Sequence, residues 1–193
     1  MQQIISIDEA TLVRNCVANN AAAQKELYNR YANAMYNICL RYAHNSFDAK
    51  DMMQEGFIKV FRHIQQFEAK GSLSGWVRRV IITACLNYLK KYNTPINNPC
   101  IKIDDDSTTI VLSNHNNFES FLTNKEIMQC FMELPLEYRT ILSLYAIDDY
   151  SHKEIATLLN IEEATSRTKV YRARILLKKI LITHQIFELK NTE

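Results

Sequence analysis

The sequence predicts an all-α protein, two small helical bundles joined by an irregular linker, with a helix-turn-helix in the second. Three observations carry this: the 193 residues include only three glycines and three prolines, apolar residues recur at intervals of three and four, and strand-like alternation is nowhere sustained. With 47 % apolar and 10 % aromatic residues the chain can fill a core, and its length suits one ordinary domain or two small ones.

The first apolar stripe, Leu27, Tyr31, Met35, Ile38 and Tyr42, marks one face of a helix. Met53, Phe57, Val60, Phe61 and Ile64 mark a second, and Val77, Val80, Ile81, Ala84 and Tyr88 a third. An amphipathic helix alone in water is marginal, so these faces bury against one another and residues 8–92 form one bundle. Residues 93–122 read as a linker, because Tyr92 to Phe118 holds two of the three prolines, six asparagines and the run Asp104, Asp105, Asp106. Helical patterning returns over residues 123–187, the second bundle.

Composition excludes several function classes. The spacing of Gly56, Gly71 and Gly75 cannot supply a GxGxxG or GxxxxGK phosphate loop. The five cysteines, Cys16, Cys39, Cys85, Cys100 and Cys130, stand singly, so neither a zinc site nor a disulfide framework is signalled and no cofactor is expected. An odd number of isolated thiols suits a reducing compartment. The start, MQQIISIDEA, lacks a secretion signal, and apolar runs are short, which leads to the expectation of a cytoplasmic protein without membrane insertion. No nucleophile is placed beside a base at a readable spacing and every histidine is isolated, so an enzyme is not expected.

The formal net charge of +2 hides a strong polarisation. Residues 126–163 carry eight acidic and two basic groups, whereas residues 164–187 carry six basic and none acidic. The segment YSHKEIATLLNIEEATSRTKVYRARILLKKIL, Tyr150 to Leu181, explains that basic rod. Ser151 with Glu154 three residues on is a capping box that starts a short helix, for which Ile155, Ala156, Leu158 and Leu159 supply a buried face. Asn160 can adopt the left-handed conformation that ends it, Ile161 plugs the corner, and a second helix starts near Glu162 or Glu163. On that helix Ser166, Val170, Ala173, Leu177 and Ile180 face the core, and Thr168, Arg172 and Lys179, flanked by Thr165, Tyr171 and Lys178, face out. Hydroxyls for base edges and cations for phosphates suit the second helix of a helix-turn-helix in a major groove.

In the first bundle Asp51, Gln54 and Glu55 lie three and four apart on the polar side of the second helix. By itself the cluster reads as an ordinary solvated face sooner than as a docking patch. After Phe67 come Lys70, Gly71, Ser72, Gly75 and Trp76, then a helix with Arg78, Arg79, Lys90 and Lys91. A loop beside cations and an aromatic suits capture of an unstacked base, although Trp76 fits a core role equally well.

The stretch from Leu134, LPLEYRTILSLYAIDDYSHKEIATLLNIEEATSRTKVYRARILLKKIL, resembles the fourth region of bacterial RNA polymerase sigma factors of the extracytoplasmic-function group. FDAKDMMQEGFIKVFRHIQQFEAKGSLSGWVRRVIITACLNYLKK, from Phe47, resembles the second region of the same group, in the family's order. The resemblance implies that core polymerase binds Asp51, Gln54 and Glu55. It implies that the minus-10 element of promoter DNA meets Lys70, Ser72, Trp76, Arg78, Arg79, Thr83, Asn87 and Tyr88. The minus-35 element would meet Thr165, Ser166, Arg167, Thr168, Lys169, Tyr171, Arg172 and Arg174. An anti-sigma factor is a further partner of the kind the family has. The alternative is a stand-alone helix-turn-helix regulator that binds DNA without polymerase.

Overall fold

A computed structural model describes residues 8–92 and 125–184, every helix of which is α apart from one 3₁₀ turn at Ile64–Gln66. The chain divides between Thr94 and Pro95 into two compact units. The expected linker, 93–122, lies outside the described residues, as do positions 123, 124 and 185–187 of the expected second bundle.

The first unit contains α1 (Glu9–Val17), α2 (Ala21–Tyr42), α3 (Ser46–His63) and α4 (Leu73–Lys91). Each helix starts where a short polar side chain satisfies an orphan backbone donor. Asp8 accepts from the Thr11 amide, Asn20 from Ala23, Asn45 from both Phe47 and Asp48, and Ser72 from Gly75. The helices α2, α3 and α4 pack together in all three pairings, and α1 lies on α2 and the 3₁₀ turn. All five residues of the first expected stripe are buried.

The other two stripes need correction. On α3 Ala49, Met52 and Gly56 join Phe57 and Val60 inside, while Met53 and Phe61 are only half-buried. On α4 Val80 and Tyr88 are half-buried, and Ile82, Cys85, Leu86 and Leu89 are buried beside Val77, Ile81 and Ala84. A helix wedged against two others buries a wider arc than a single i, i+3, i+4 stripe, so a reading that assumes one neighbour misses part of its core. The same wedge brings Cys39 of α2 and Cys85 of α4 together with their sulfurs 3.7 Å apart, both fully buried, although 46 residues separate them.

Gly56 sets the approach of α3 to α4. A Cβ there would stand 2.5 Å from Ile81 Cδ1, inside contact distance. Gly56→Val is therefore expected to destabilise the first unit by about 2 kcal/mol, because overpacking outweighs a helix-propensity gain that for a β-branched residue is only about 0.4 kcal/mol. Urea unfolding of the full chain checks this, with the first unit's transition moving to lower denaturant and the second's unmoved.

The second unit contains α5 (Lys125–Met132), α6 (Leu136–Ala146), α7 (His152–Leu159) and α8 (Glu163–Thr183). Every residue from Tyr138 to Leu144 in α6 is buried, which makes it the unit's central helix. Arg139 Nη1 donates to the Met132 carbonyl at 2.7 Å and so satisfies the end of α5. The helix α8 packs on α6 above all, then on α7 and α5. Among the described residues no helix is long and apolar enough to cross a membrane, and no cluster of three or more His, Cys, Asp or Glu could hold a metal ion.

Candidate nucleic-acid interface

The helix pair α7 and α8 forms as its punctuation requires. Both halves of the Ser151–Glu154 capping box are made, with the Ser151 amide donating to Glu154 Oε2 at 2.8 Å. Asn160 has φ 54° and ψ 53°, the left-handed conformation, and the Ile161 amide closes the turn on the Ala156 carbonyl at 3.0 Å. Asparagine tolerates this region better than any residue but glycine. Glu162 in extended backbone then lets α8 begin at Glu163.

Ser166, Val170, Ala173 and Leu177 are buried and Ile180 half-buried, so the inner face of α8 is as read. Outward, Arg167, Thr168, Tyr171 and Lys179 are exposed, while Thr165, Arg172 and Lys178 are half-buried. Two of the residues placed at the minus-35 element by resemblance are turned inside. Ser166 is fully buried and its Oγ lies 3.0 Å from His152 Nδ1. Lys169 is 7 % exposed and its ammonium is ion-paired with Glu137 of α6, so it ties α8 to the central helix rather than offering a charge to DNA. Arg174 is half-buried with its guanidinium 5.3 Å from the centre of the Tyr145 ring, a cation–π contact inside the unit.

Tyr145 also stacks on His152, with ring centres 4.4 Å apart and planes 17° from parallel. Arg174, Tyr145, His152 and Ser166 thus link α6, α7 and α8 beneath the helix-turn-helix. Burial, then the Arg167 and Arg174 charges, hold the His152 pKa below its ordinary 6.5, against an opposing pull from Glu163. The folded state then binds fewer protons at this site than the unfolded state, so its contribution is complete above pH 6.5 and is lost as pH falls below it. Melting curves between about pH 7.5 and pH 5.5 are expected to show the second unit weakening on acidification, with a shallower decline in His152→Gln.

In the first unit the set assigned to the minus-10 element splits. Lys70, Ser72, Trp76 and Arg79 line one open cleft of about 470 Å³ with Gln66, Phe67, Glu68, Gly71 and Gly75. Its back wall is the Trp76–Phe67 pair, rings 5.9 Å apart, and Trp76 is only half-buried, so it serves core and cleft together. Lys70 is ion-paired with Glu68 across the mouth. Thr83 and Asn87, both exposed, continue from Arg79 one turn at a time along α4. Arg78 and Tyr88 do not join this row. Both are half-buried on other sides of the helix, and the Tyr88 phenol is raised in pKa by burial, with Asp48, Asp51, Tyr92 and Glu55 adding to it. Tyr88 therefore belongs with the acidic residues of α3.

The cleft's loop is strained at a position composition does not reveal. Ala69 has φ 55°, whereas none of the glycines has a positive φ, and a Cβ at Gly71 would meet nothing within 4 Å. A left-handed alanine costs about 1 kcal/mol, which a glycine at 69 would relieve.

Asp51 and Gln54 are exposed on α3 and Glu55 is half-buried, with Glu55 Oε1 3.9 Å from Lys91 Nζ. The three stand on one outward face, as the spacing requires. Lys91 at the end of α4 thus lies beside this acidic face of α3.

Two family models match the chain, Sigma-70 region 2 over residues 27–94 and Sigma-70 region 4 over residues 124–177, together more than half its length. The ECF RNA polymerase sigma factor SigM of Bacillus subtilis is 28 % identical over 157 residues, covering 80 % of this chain and 93 % of that protein. SigW of the same organism is 28 % identical over 159 residues, 78 % of this chain and 84 % of that one. The sigma-E factor of Haemophilus influenzae is 24 % identical over 179 residues, 89 % and 94 % of the two chains. A solved complex of the sigma factor RpoE with the anti-sigma factor NepR, from Bartonella quintana, aligns with a TM-score of 0.49 at 16 % identity over 81 % of this chain and 95 % of that one. With both regions matched in the order the motifs take along the sequence, the chain belongs to the sigma-70 family of RNA polymerase sigma factors, in its extracytoplasmic-function group.

Proposed function

We propose that the chain binds core RNA polymerase through Asp51, Gln54 and Glu55 and directs it to promoters, acting in the cytoplasm as a specificity subunit without catalysis of its own. Domains of 8–92 and 123–187, joined by 93–122, divide this work. The cleft of Lys70, Ser72, Trp76 and Arg79, continued by Thr83 and Asn87, takes the minus-10 element, where an extruded base needs a stacking surface and phosphate partners. Thr165, Arg167, Thr168, Tyr171 and Arg172 on α8 meet the minus-35 duplex, as the second helix of a helix-turn-helix does.

The observation that supports this best is the pairing of two separate nucleic-acid features with an acidic patch that no DNA would favour. Asp51 and the half-buried Glu55 repel phosphate, so that face suits a protein partner better than DNA. Neither basic surface is large, and each by itself binds weakly and in a salt-dependent way. Held on one scaffold they act at high effective concentration.

Transcription from linear promoter DNA tests the reading. Core polymerase with the chain is expected to give one defined transcript and permanganate-reactive thymines near minus-10, and neither component alone gives either. Opening of the duplex by the chain alone, or defined initiation by core alone, contradicts it.

A further inference from the structure

The outward face of α8 is less polar than its composition. Ser166 and Lys169 point inside, and Arg167 is paired with Glu163 one turn earlier. The hydroxyl of Thr168 donates to the Ala164 carbonyl at 3.0 Å, so its proton is committed to its own helix and the side chain offers a partner its methyl and an oxygen that can only accept. Ala164 is exposed, and Tyr171 is 59 % exposed, one of few large apolar side chains in solvent among the described residues. Ala164, Thr168 and Tyr171 stand at i, i+4 and i+7, a single stripe about 10 Å long flanked by Arg167 and Arg172.

Base edges in a major groove present one apolar group, the 5-methyl of thymine, and alanine or the threonine methyl is a fitting partner for it. At about 3.4 Å per base pair the stripe spans about three base pairs. We propose that α8 reads its element by apolar contact with thymine 5-methyl groups, with Thr168 as the specificity-determining residue, its methyl rather than its hydroxyl making the discrimination. This rests on the assignment of α8 to the minus-35 duplex. Arg172, and Arg167 on exchanging Glu163 for a phosphate, then hold the backbone on either side and set the register without reading sequence.

The experiment uses the full chain assembled with core polymerase and a promoter in which each minus-35 thymine, on either strand, is replaced in turn by deoxyuridine. Removing a buried methyl is expected to weaken holoenzyme binding about three- to tenfold at one or two positions. Thr168→Val, which keeps a methyl and loses the hydroxyl, retains the preference for thymine over deoxyuridine, and Thr168→Ser, which does the reverse, loses it. If deoxyuridine has no effect anywhere while Arg172→Ala still weakens binding, methyl reading is wrong and the minus-35 assignment stands. If Thr168→Ser keeps the discrimination, the hydroxyl or another residue reads the base and the proposal is overturned. If randomising the whole element and Arg172→Ala both leave binding unchanged, the assignment of α8 to that duplex fails as well.

Discussion

Asp51→Lys combined with Glu55→Lys is expected to abolish co-purification with core polymerase, an affinity loss of about a hundredfold or more, while the chain stays folded. Like charges facing one another across an interface cost several kcal/mol, and two reversals convert attraction to repulsion at the centre of the patch. The stability cost is small because both positions reach solvent, and the one pair broken, Glu55 with Lys91 at 3.9 Å, joins side chains 38 % and 63 % exposed. Such pairs contribute well under about 1 kcal/mol. Analytical gel filtration of the mixture, beside a circular-dichroism melt of the variant, separates lost docking from lost folding. Continued co-purification of a folded variant would move the docking surface elsewhere.

The second large effect lies at Glu137. Its ion pair with Lys169 is shielded, the two side chains being 13 % and 8 % exposed, so removing Glu137 leaves a shielded ammonium without its carboxylate. Glu137→Met is expected to destabilise the second unit by about 3–5 kcal/mol, whereas Glu137→Met with Lys169→Met recovers most of that, since apolar replacement of a whole buried pair is often neutral. Denaturant unfolding of the two singles and the double gives the coupling energy directly. The double variant also decides what Lys169 does. With Lys169 inside the unit, minus-35 binding keeps its salt dependence in the double variant, whereas loss of a phosphate contact would lower the slope by about one.

Much of the fold was legible because its signals are local. Asn20, Asn45, Ser72 and Ser151 cap the helices that follow them, and Asn160 ends a helix in the left-handed conformation, each decided within four residues of sequence. The stripe from Leu27 to Tyr42 needed only periodicity. What stayed hidden depends on partners distant in sequence. Lys169 lies at the margin of the inner face of α8, and only the position of Glu137, 32 residues earlier on a helix buried all round, draws it in. Arg78 is adjacent to Arg79 and Tyr88 about two and a half turns on along the same helix, yet both face away from the Arg79, Thr83 and Asn87 row, Tyr88 towards the acidic residues of α3. The helix α1, started by Asp8, is only nine residues long, too short for its apolar spacing to have stood out, though Leu12 and Cys16 are buried.

The candidate surfaces were legible in part. Spacing put Asp51, Gln54 and Glu55 on one face of α3, and the family resemblance grouped Lys70, Ser72, Trp76 and Arg79, which line one cleft, with Arg78 and Tyr88, which do not. Spacing alone does not say whether a helical threonine shows its hydroxyl or its methyl, because that turns on a hydrogen bond to the preceding turn, here from Thr168 to Ala164. Nor does it distinguish a strained alanine at 69 from a relaxed one.

Binding of one labelled promoter fragment, titrated at fixed salt with the chain alone, with core polymerase alone and with both together, tests the division of labour most directly. The expected result is weak binding without sequence preference from either component and tight, salt-sensitive, sequence-selective binding only from the pair. A chain that selects the same promoter equally well without polymerase would contradict it and establish a self-sufficient DNA-binding regulator.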